Sequence, residues 1–439
     1  MREHVKQRYN YPLTSYNYAL MGCYGGITKG TMASSPQQPA LPGLSAIPDT
    51  PEGWFAKSIE LSEVFSPTEP VRESDLFAGR TQQIIRLVDS VFQGGQHAVI
   101  FGERGVGKTS LANTLKQKIF PMSTRIRFFS TQCYKADEYA DIWTRVFGKH
   151  IWDSGEYAFD DIDDLIDPHD LGQIMKKFSA TVRPVFLFDE FDRIEDSDTK
   201  LKMAETLKLF SDDCPEITII IVGIGRTIRD LLEDHQSVRR AIRPVEMPRM
   251  TPQEIKEIVS VRVQKVGMTI EDEALSNISR LCRGMPGYAH LIGMHSGKAT
   301  LADRSLNITA KHMSDSLGVC LEEAGEIIRQ DYAMAVQSPQ PGNLLRQALL
   351  ACALAEQDEF GSFTAASVRE PYTRIMRSPR DIPDFNRHLN AFWSKQRGAI
   401  LERTGSPKSY RYRFKDAIMQ CYVIIKGIKD GLLEPTGLD

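Results

Sequence analysis

The segment from Gly102 to Thr109 constrains the fold more than any other part of the chain. Its sequence, GERGVGKT, fits the pattern G-x-x-x-x-G-K-[S/T], with the apolar run Ala98–Phe101 before it and the helical pattern Ser110–Lys118 after it. Glycines in such a loop let successive backbone N–H groups face a phosphate, and the dipole of the following helix adds to the attraction. A strand, this loop and a helix in that order predict a nucleotide-binding α/β domain.

The loop also predicts which residues contact the nucleotide. Lys108 is expected to bridge the β- and γ-phosphates, and the Thr109 hydroxyl is expected to ligate Mg²⁺. The remaining residues assigned to nucleotide binding here are Gly102, Glu103, Arg104, Gly105, Val106, Gly107 and Ser110. The alternative is a chance glycine-rich turn between a strand and a helix.

A buried strand that ends in carboxylates supplies the second half of such a site. The four apolar residues Val185–Phe188 lead directly into Asp189 and Glu190. Ligands bind at the carboxyl ends of strands in open α/β sheets, so we expect Asp189 to support Mg²⁺ and Glu190 to act as general base on the attacking water. The alternative is a strand that ends in a solvated acidic loop.

Short apolar runs alternate with helix-length segments between residues 96 and 247. This alternation is typical of buried parallel strands in an α/β sheet. The predicted strands are Ala98–Phe101, Arg125–Phe129, Val185–Phe188, Thr218–Val222 and Val245–Met247. Helices are predicted next at Pro252–Val266, Asp272–Cys282, Tyr288–Thr300 and Ala310–Gln330. Residues 344–439 predict three helices, a β-hairpin at Ala399–Phe414 and a last helix, which is the order of a winged helix.

The chain resembles the AAA+ and STAND P-loop ATPases over about residues 74 to 420. The resemblance rests on Leu76–Arg80 (LFAGR), the phosphate loop, the Asp189-Glu190 ending and the element order. Origin-recognition-type initiators and the small prokaryotic ATPases built like them are similar in pattern. The resemblance implies an α/β fold with a P-loop NTPase core and parallel sheet, a helical lid domain and a C-terminal winged helix. The predicted boundaries are a mostly disordered or extended leader at 1–73, the ATPase core at 74–250, the lid at 251–337 and the winged helix at 338–439.

The same resemblance implies roles for residues outside the phosphate loop and the Asp189-Glu190 ending. Phe77 and Arg80 belong to a segment that lies over the adenine in the family, and Pro286 matches a lid proline that packs near the base. Arg239 and Arg240 stand where AAA+ rings carry an arginine finger, which implies that hydrolysis requires an oligomer or a partner. A solvated basic turn is the alternative for these two arginines.

Basic residues are concentrated in the predicted winged helix. Between Tyr372 and Lys415 eleven Lys or Arg residues face three acids, a local charge of +8 in a chain whose net charge is −3. Duplex DNA is therefore the expected partner, because such a surface favours contact with phosphates. The residues assigned to DNA contact are Arg387 on the third helix and Lys408, Arg411 and Arg413 on the wing. A protein-docking or autoinhibitory module is the alternative.

Composition excludes several other classes of protein. Hydrophobic residues make up 41% and charged residues 25%, and no apolar run approaches the roughly 20 residues that span a bilayer. The seven cysteines are scattered without a CxxC pair, which argues against a disulfide framework or a zinc site. A cytoplasmic protein without a membrane partner is the expectation.

The predicted function is that of a Mg²⁺-dependent ATP hydrolase. It is expected to bind ATP and Mg²⁺, to form homo-oligomers and to use nucleotide to control oligomerisation and the engagement of DNA. Two alternatives remain open. One is a nucleotide-controlled signalling switch whose winged helix binds a protein effector, for example in prokaryotic defence against foreign DNA. The other is a nucleotide-stabilised scaffold without turnover.

Overall fold

Five parallel strands form the central sheet, in the spatial order β2-β3-β4-β1-β5. The computed structural model describes residues 48–67, 79–148, 167–175, 182–225, 232, 240–340, 342–358, 361–406 and 409–434. The strands are β1 (His97–Gly102), β2 (Ile126–Gln132), β3 (Arg183–Asp189), β4 (Thr218–Ile224) and β5 (Ile242–Met247). Each run that the sequence predicted as a strand is a strand, extended by one to three residues at one or both ends, and β2 begins one residue later than predicted, after Arg125.

Alternate residues of each strand enter two different cores, because successive side chains point to opposite faces of a sheet. Ile100 lies in the first core, which continues through the helical region and the C-terminal region, whereas its neighbour Val99 lies in the second. The second core is centred on the buried Trp143, whose ring centroid is 5.2 Å from that of Phe186 and 5.0 Å from that of Phe188. Apolar cover on both faces explains why the strands read as continuous hydrophobic runs.

Helices flank the sheet and precede it. They are α1 (Pro51–Val64), α2 (Thr81–Phe92), α3 (Lys108–Thr114), α4 (Tyr139–Gly148), α5 (Pro168–Met175) and α6 (Ser197–Asp213). A helical region follows with α7 (Pro252–Lys265), α8 (Asp272–Cys282), α9 (Pro286–Ala302), α10 (Ala310–Glu323) and α11 (Glu326–Val336). The single helix predicted at Ala310–Gln330 is wrong, because the chain is extended at Ala324 and a new helix begins after Gly325. No helix among the described residues has the length and hydropathy needed to cross a bilayer.

The leader predicted for residues 1–73 is wrong at α1. This helix begins at Pro51 after Thr50, whose hydroxyl oxygen accepts a hydrogen bond from the Gly53 N–H at 3.1 Å. It packs on α9, where a Cβ added at Gly297 would stand 2.5 Å from Leu61. Proline is compatible with the first turn of a helix, and the groove that receives the helix is made by glycines more than two hundred residues away. The local pattern therefore gave no sign of the packing partner.

Four helices and a small sheet make up the described part of the C-terminal region. Its elements are α12 (Leu345–Leu354), β8 (Ser362–Thr364), α13 (Ala365–Met376), α14 (Ile382–Phe392), β9 (Leu401–Thr404), β10 (Arg411–Phe414) and α15 (Ala417–Lys429). β6 (Thr269–Ile270) and β7 (Asn307–Ile308) pair in the preceding helical region, whereas β8, β10 and β9 form an antiparallel sheet in that order. The predicted hairpin is present. The third of these helices, α14, ends at Phe392, and β8 was not among the predicted elements.

His97 is a fully buried polar residue that ties the start of β1 to its neighbours. Its Nδ1 accepts a hydrogen bond from the Ile219 N–H at 3.1 Å, so the neutral ring carries its proton on Nε2, which donates to the Leu207 carbonyl at 2.8 Å. Burial lowers the pKa of His97 to about 4. A second proton on Nδ1 would displace the Ile219 contact and leave a charge in an apolar core.

The protein should become less stable as the pH falls from about 6.5 towards 4, because over this window the unfolded chain binds a proton at His97 and the folded protein does not. The free energy of unfolding should be about 2 kcal/mol lower at pH 5 than at pH 7 from this residue alone. Urea denaturation at the two pH values measures it. The variant His97→Gln keeps one donor and one acceptor without titrating, and an equal loss in that variant would exclude His97 as the cause.

Candidate nucleotide-binding site

A cavity of about 840 Å³ lies at the carboxyl ends of β1, β3 and β4, within the size range of small-molecule sites. The helical region covers it from the other side. The predicted site residues that line this cavity are Arg80, Arg104, Gly105, Gly107, Lys108, Thr109, Ser110, Asp189, Glu190 and Pro286. Gly102, Glu103 and Val106 belong to the same loop without lining the cavity, and Phe77 and Arg239 lie outside the described residues.

Lys108 is a buried cation held by its own loop. Its Nζ donates to the carbonyl oxygens of Gly102 at 3.1 Å and Glu103 at 2.7 Å. Burial lowers the pKa of Lys108 to about 8, and the nearby carboxylates of Asp192 and Asp189 oppose that shift. A phosphate in the cavity would supply the negative charge that a buried ammonium lacks. The environment of Lys108 therefore fits an anionic ligand.

Backbone geometry opens the loop towards the cavity. Gly105 has φ +83° and Gly107 has φ +96°, values that favour glycine. A Cβ at Gly107 would meet no atom within 4 Å, whereas a Cβ at Gly105 would stand 2.9 Å from the terminal methyl carbon of Met285. The loop can thus receive a ligand at Gly107, whereas the Met285 side chain covers it at Gly105.

Thr109 and Asp189 form the oxygen-rich side of the cavity. The Thr109 side chain forms a hydrogen bond with the Asp189 carboxylate, which also accepts from the Glu190 N–H at 2.9 Å. Burial raises the pKa of Asp189 despite these contacts. A hydroxyl and a carboxylate are oxygen ligands of the kind that Mg²⁺ takes in phosphate-binding sites. The donor set therefore fits Mg²⁺, with Thr109 and Asp189 as the residues to hold it.

Glu190 is held by two side chains that the sequence analysis did not single out. Its Oε2 accepts from Gln132 Nε2 at 2.5 Å and from Arg193 Nη1 at 2.9 Å. Gln132 ends β2 and stands opposite Asp189 in the parallel register. Glu190 itself has φ +56°, an uncommon conformation for a residue other than glycine. No local motif marks Gln132, because only the pairing of β2 with β3 brings it to the site.

Three further residues that line the cavity have mainly structural contacts. The Arg80 guanidinium donates to the carbonyl oxygens of Val106 at 3.2 Å and Pro248 at 2.6 Å, so it braces the phosphate loop from behind. Pro286 begins α9 and lines the cavity directly. His290 Nδ1 accepts from the Ser66 N–H at 3.0 Å, which is the contact of a packed lid histidine.

Arg240 lies at the amino-terminal edge of the sheet, whereas the cavity lies at the carboxyl-terminal edge. It precedes β5, and since all five strands are parallel, this is the amino-terminal edge. Its carbonyl oxygen accepts from Gln96 Nε2 at 3.1 Å, and its side chain is exposed. Arg240 therefore does not reach the cavity of its own chain.

The residues assigned to DNA contact have unequal surroundings. Arg387 is exposed on α14, whereas Lys408 lies outside the described residues. Arg411 forms an ion pair with Asp358 at 2.5 Å, and Arg413 forms one with Glu402 at 2.6 Å. Two of the expected phosphate contacts are thus partly neutralised within the chain. Glu402 is one of the three acids already counted in the +8 segment, whereas Asp358 lies outside that segment.

Arg403, which was not assigned to DNA contact, fastens the hairpin to α14. Its guanidinium carbon lies 4.0 Å from the ring centroid of Trp393 and 4.1 Å from that of Tyr410. Its Nη1 also donates to Asn390 Oδ1 at 3.2 Å. The sequence offered a weak sign of this arrangement, namely aromatic residues among the basic ones.

The sheet, the loop and the cavity together define an α/β P-loop core. A family model described as an AAA domain matches residues 91–232, which span the phosphate loop and the Asp189-Glu190 ending. The expected resemblance to the AAA+ P-loop ATPases is confirmed, and so is the expected fold class of the core.

Several solved structures are similar to this chain in fold. Cdc6p from Pyrobaculum aerophilum has 16% identity and a TM-score of 0.44, with 85% of this chain and 99% of that one covered. The ORC2 protein of Aeropyrum pernix has 16% identity and a TM-score of 0.45, with 85% and 97% covered. RuvB of Thermotoga maritima, described as a Holliday junction branch migration motor, has 15% identity and a TM-score of 0.40, with 83% and 98% covered. No curated protein sequence matches the chain. Similarities of this size do not extend to activity or partners.

Proposed function

We propose that this chain is a Mg²⁺-dependent ATPase of the AAA+/STAND type that uses nucleotide to control its oligomerisation and its engagement of DNA. The observation that supports the ATPase is that one cavity brings together Lys108, Thr109, Asp189 and Glu190. Steady-state release of phosphate from ATP with Mg²⁺ is the test. Absence of both release and nucleotide binding would contradict the proposal.

Each of these residues has a task that its surroundings allow. Lys108 exchanges two carbonyl contacts for phosphate oxygens, and Thr109 and Asp189 hold Mg²⁺, which when bound neutralises charge on the phosphate oxygens. Glu190 accepts the proton of the attacking water once its carboxylate is released from Gln132 or Arg193. The contacts with Gln132 and Arg193 therefore occupy the Glu190 carboxylate until the site is assembled.

Engagement of DNA is proposed through the C-terminal region, which we interpret as a winged helix. The order of α12, β8, α13, α14 and the β9–β10 hairpin supports that interpretation, and the excess of basic residues supports a phosphate-bearing partner. Arg387 on α14 is the exposed candidate for direct contact. Arg411 and Arg413 would have to exchange Asp358 and Glu402 for DNA phosphates.

Joint replacement of Lys408, Arg411 and Arg413 by alanine should weaken binding to duplexes of every sequence. Removing one cation from a DNA phosphate should reduce the slope of log affinity against log salt by about 0.9. Fluorescence anisotropy on a labelled duplex at several salt concentrations measures both effects. Arg329→Ala is the matched control, because Arg329 is ion-paired with Glu326 on α11 and does not belong to the basic segment between Tyr372 and Lys415. An unchanged slope in the triple variant would remove these residues from the DNA contact.

The second candidate function is a nucleotide-controlled switch whose C-terminal region binds a protein effector. The internal ion pairs of Arg411 and Arg413 favour it, because they lower the charge available to DNA. If the parent protein with ATP binds no duplex even at low salt, this second function takes the place of the first.

A further inference from the structure

Arg249 joins three regions of the molecule at one guanidinium. It lies between β5 and α7, where the core passes into the lid. Its Nε donates to Glu103 Oε2 of the phosphate loop at 2.8 Å, and its Nη1 donates to Gln357 Oε1 at 2.8 Å and to Gln420 Oε1 at 2.7 Å. We propose that Arg249 is a positioning residue that couples the occupancy of the phosphate loop to the C-terminal region. The proposal rests on the proposed nucleotide binding.

Burial makes this contact selective for arginine. The side chains of Arg249 and Glu103 are only 14% and 16% exposed, so neither charge is well solvated once its partner is removed. The planar fork of arginine can donate to three acceptors in fixed directions, which a lysine ammonium on a flexible stem does less well. Gln420 is itself buried, and its Nε2 donates to the Ala353 carbonyl at 2.7 Å. The network is thus anchored in α12 and α15.

Glu103 is shared between Arg249 and the nucleotide site. Its carboxylate pairs with Arg249, and its carbonyl oxygen accepts from Lys108 Nζ at 2.7 Å. When Lys108 turns to a phosphate, it gives up the Glu103 carbonyl, and the loop is then held at Glu103 by the Arg249 contact. Ile418 of α15 also lines the cavity, so the helix that carries Gln420 borders the proposed nucleotide site. A ligand in the cavity therefore acts both on the contact between Glu103 and Arg249 and on Ile418 of α15.

The network continues from Gln357 to the small C-terminal sheet. Asp358, the next residue, accepts from the Ser362 N–H at 2.8 Å and from Arg411 Nη2 at 2.5 Å. These contacts tie the segment before β8 to β10. A shift of Arg249 thus reaches Arg411, a residue assigned to DNA contact, through Gln357 and Asp358, which are adjacent in the chain.

Hydrogen–deuterium exchange on the full chain tests the coupling. Adenylyl imidodiphosphate with Mg²⁺ should slow exchange in loop peptides that cover Lys108, which reports nucleotide binding itself. It should also slow exchange about fivefold or more in peptides that cover Gln357 and the start of α15, the lower end of typical coupling between sites. In Arg249→Gln the loop peptides should still respond and the C-terminal peptides should not.

Two further variants separate coupling from damage to the fold. Gln357→Ala removes one acceptor of Arg249 at a half-buried position, and it decides the question if Arg249→Gln does not fold. Arg243→Gln on β5 removes the ion pair with Asp89 at 3.4 Å and should respond as the parent does. No response in the parent loop peptides would contradict the proposed nucleotide binding. A loop response without a C-terminal response in the parent would overturn the coupling. So would a C-terminal response retained in Arg249→Gln, or retained in Gln357→Ala if Arg249→Gln does not fold.

Discussion

Glu190→Gln should lower the steady-state turnover of ATP by about two to three orders of magnitude while ATP affinity stays close to that of the parent. The amide oxygen still accepts hydrogen bonds from Gln132 and Arg193, but the amide cannot take a proton from water. Lys108→Ala should behave differently and abolish binding, because it removes the buried cation that faces the phosphates. Phosphate release and equilibrium binding of a fluorescent ATP analogue separate the two effects.

The matched control for this pair is Glu195→Gln. Glu195 is exposed and ion-paired with Lys135 at 2.9 Å, and it does not line the cavity. It should keep the activity of the parent. Equal turnover by Glu190→Gln and the parent would remove Glu190 from the mechanism, and full ATP affinity in Lys108→Ala would remove Lys108 from the phosphate site.

Arg239 and Arg240 are each replaced by alanine. The variant that removes the arginine finger should lose turnover by about a thousandfold or more, with little change in ATP affinity. Arg240 lies at the amino-terminal edge of the parallel sheet, opposite the cavity. If Arg240 contributes to catalysis, it therefore has to act at the cavity of a neighbouring subunit and not at that of its own chain. Specific activity should rise with protein concentration, which phosphate release over a dilution series measures.

Arg243→Ala provides the comparison for the finger variants, since Arg243 lies on β5 and pairs with Asp89 and Gln93. It should leave turnover and its concentration dependence unchanged. Concentration-independent activity in a protein that sedimentation shows to be a monomer would exclude a finger in trans. Loss of ATP affinity together with turnover would instead indicate damage to the fold.

Local sequence patterns predicted the core of this protein because their causes are local. A strand buried on both faces needs consecutive apolar residues, so Val185–Phe188 could be recognised without knowledge of its neighbours. The phosphate loop is similar, since its glycines and Lys108 act within eight residues of chain. The carboxyl end of β3 follows from the same rule, which is why Asp189 and Glu190 were found with the loop.

Contacts between distant segments were decided only by the tertiary structure. The helix α1 depends on a groove at Gly293 and Gly297, and Gln132 reaches Glu190 only because β2 lies beside β3. The same holds for charge, because the excess of basic residues is a sum over one segment, whereas Asp358, which lies outside that segment, neutralises Arg411.

Arg249 is the clearest example of this division. Nothing in its sequence neighbourhood marks it, yet it donates to the phosphate loop and to two residues of the C-terminal region, Gln357 and Gln420. The sequence by itself determined the class of the core and the residues that can hold a nucleotide, because that chemistry lies within single strand–loop–helix units. The tertiary structure decided which side chains support or restrain those residues, because such partners are set by register and domain packing and not by spacing along the chain.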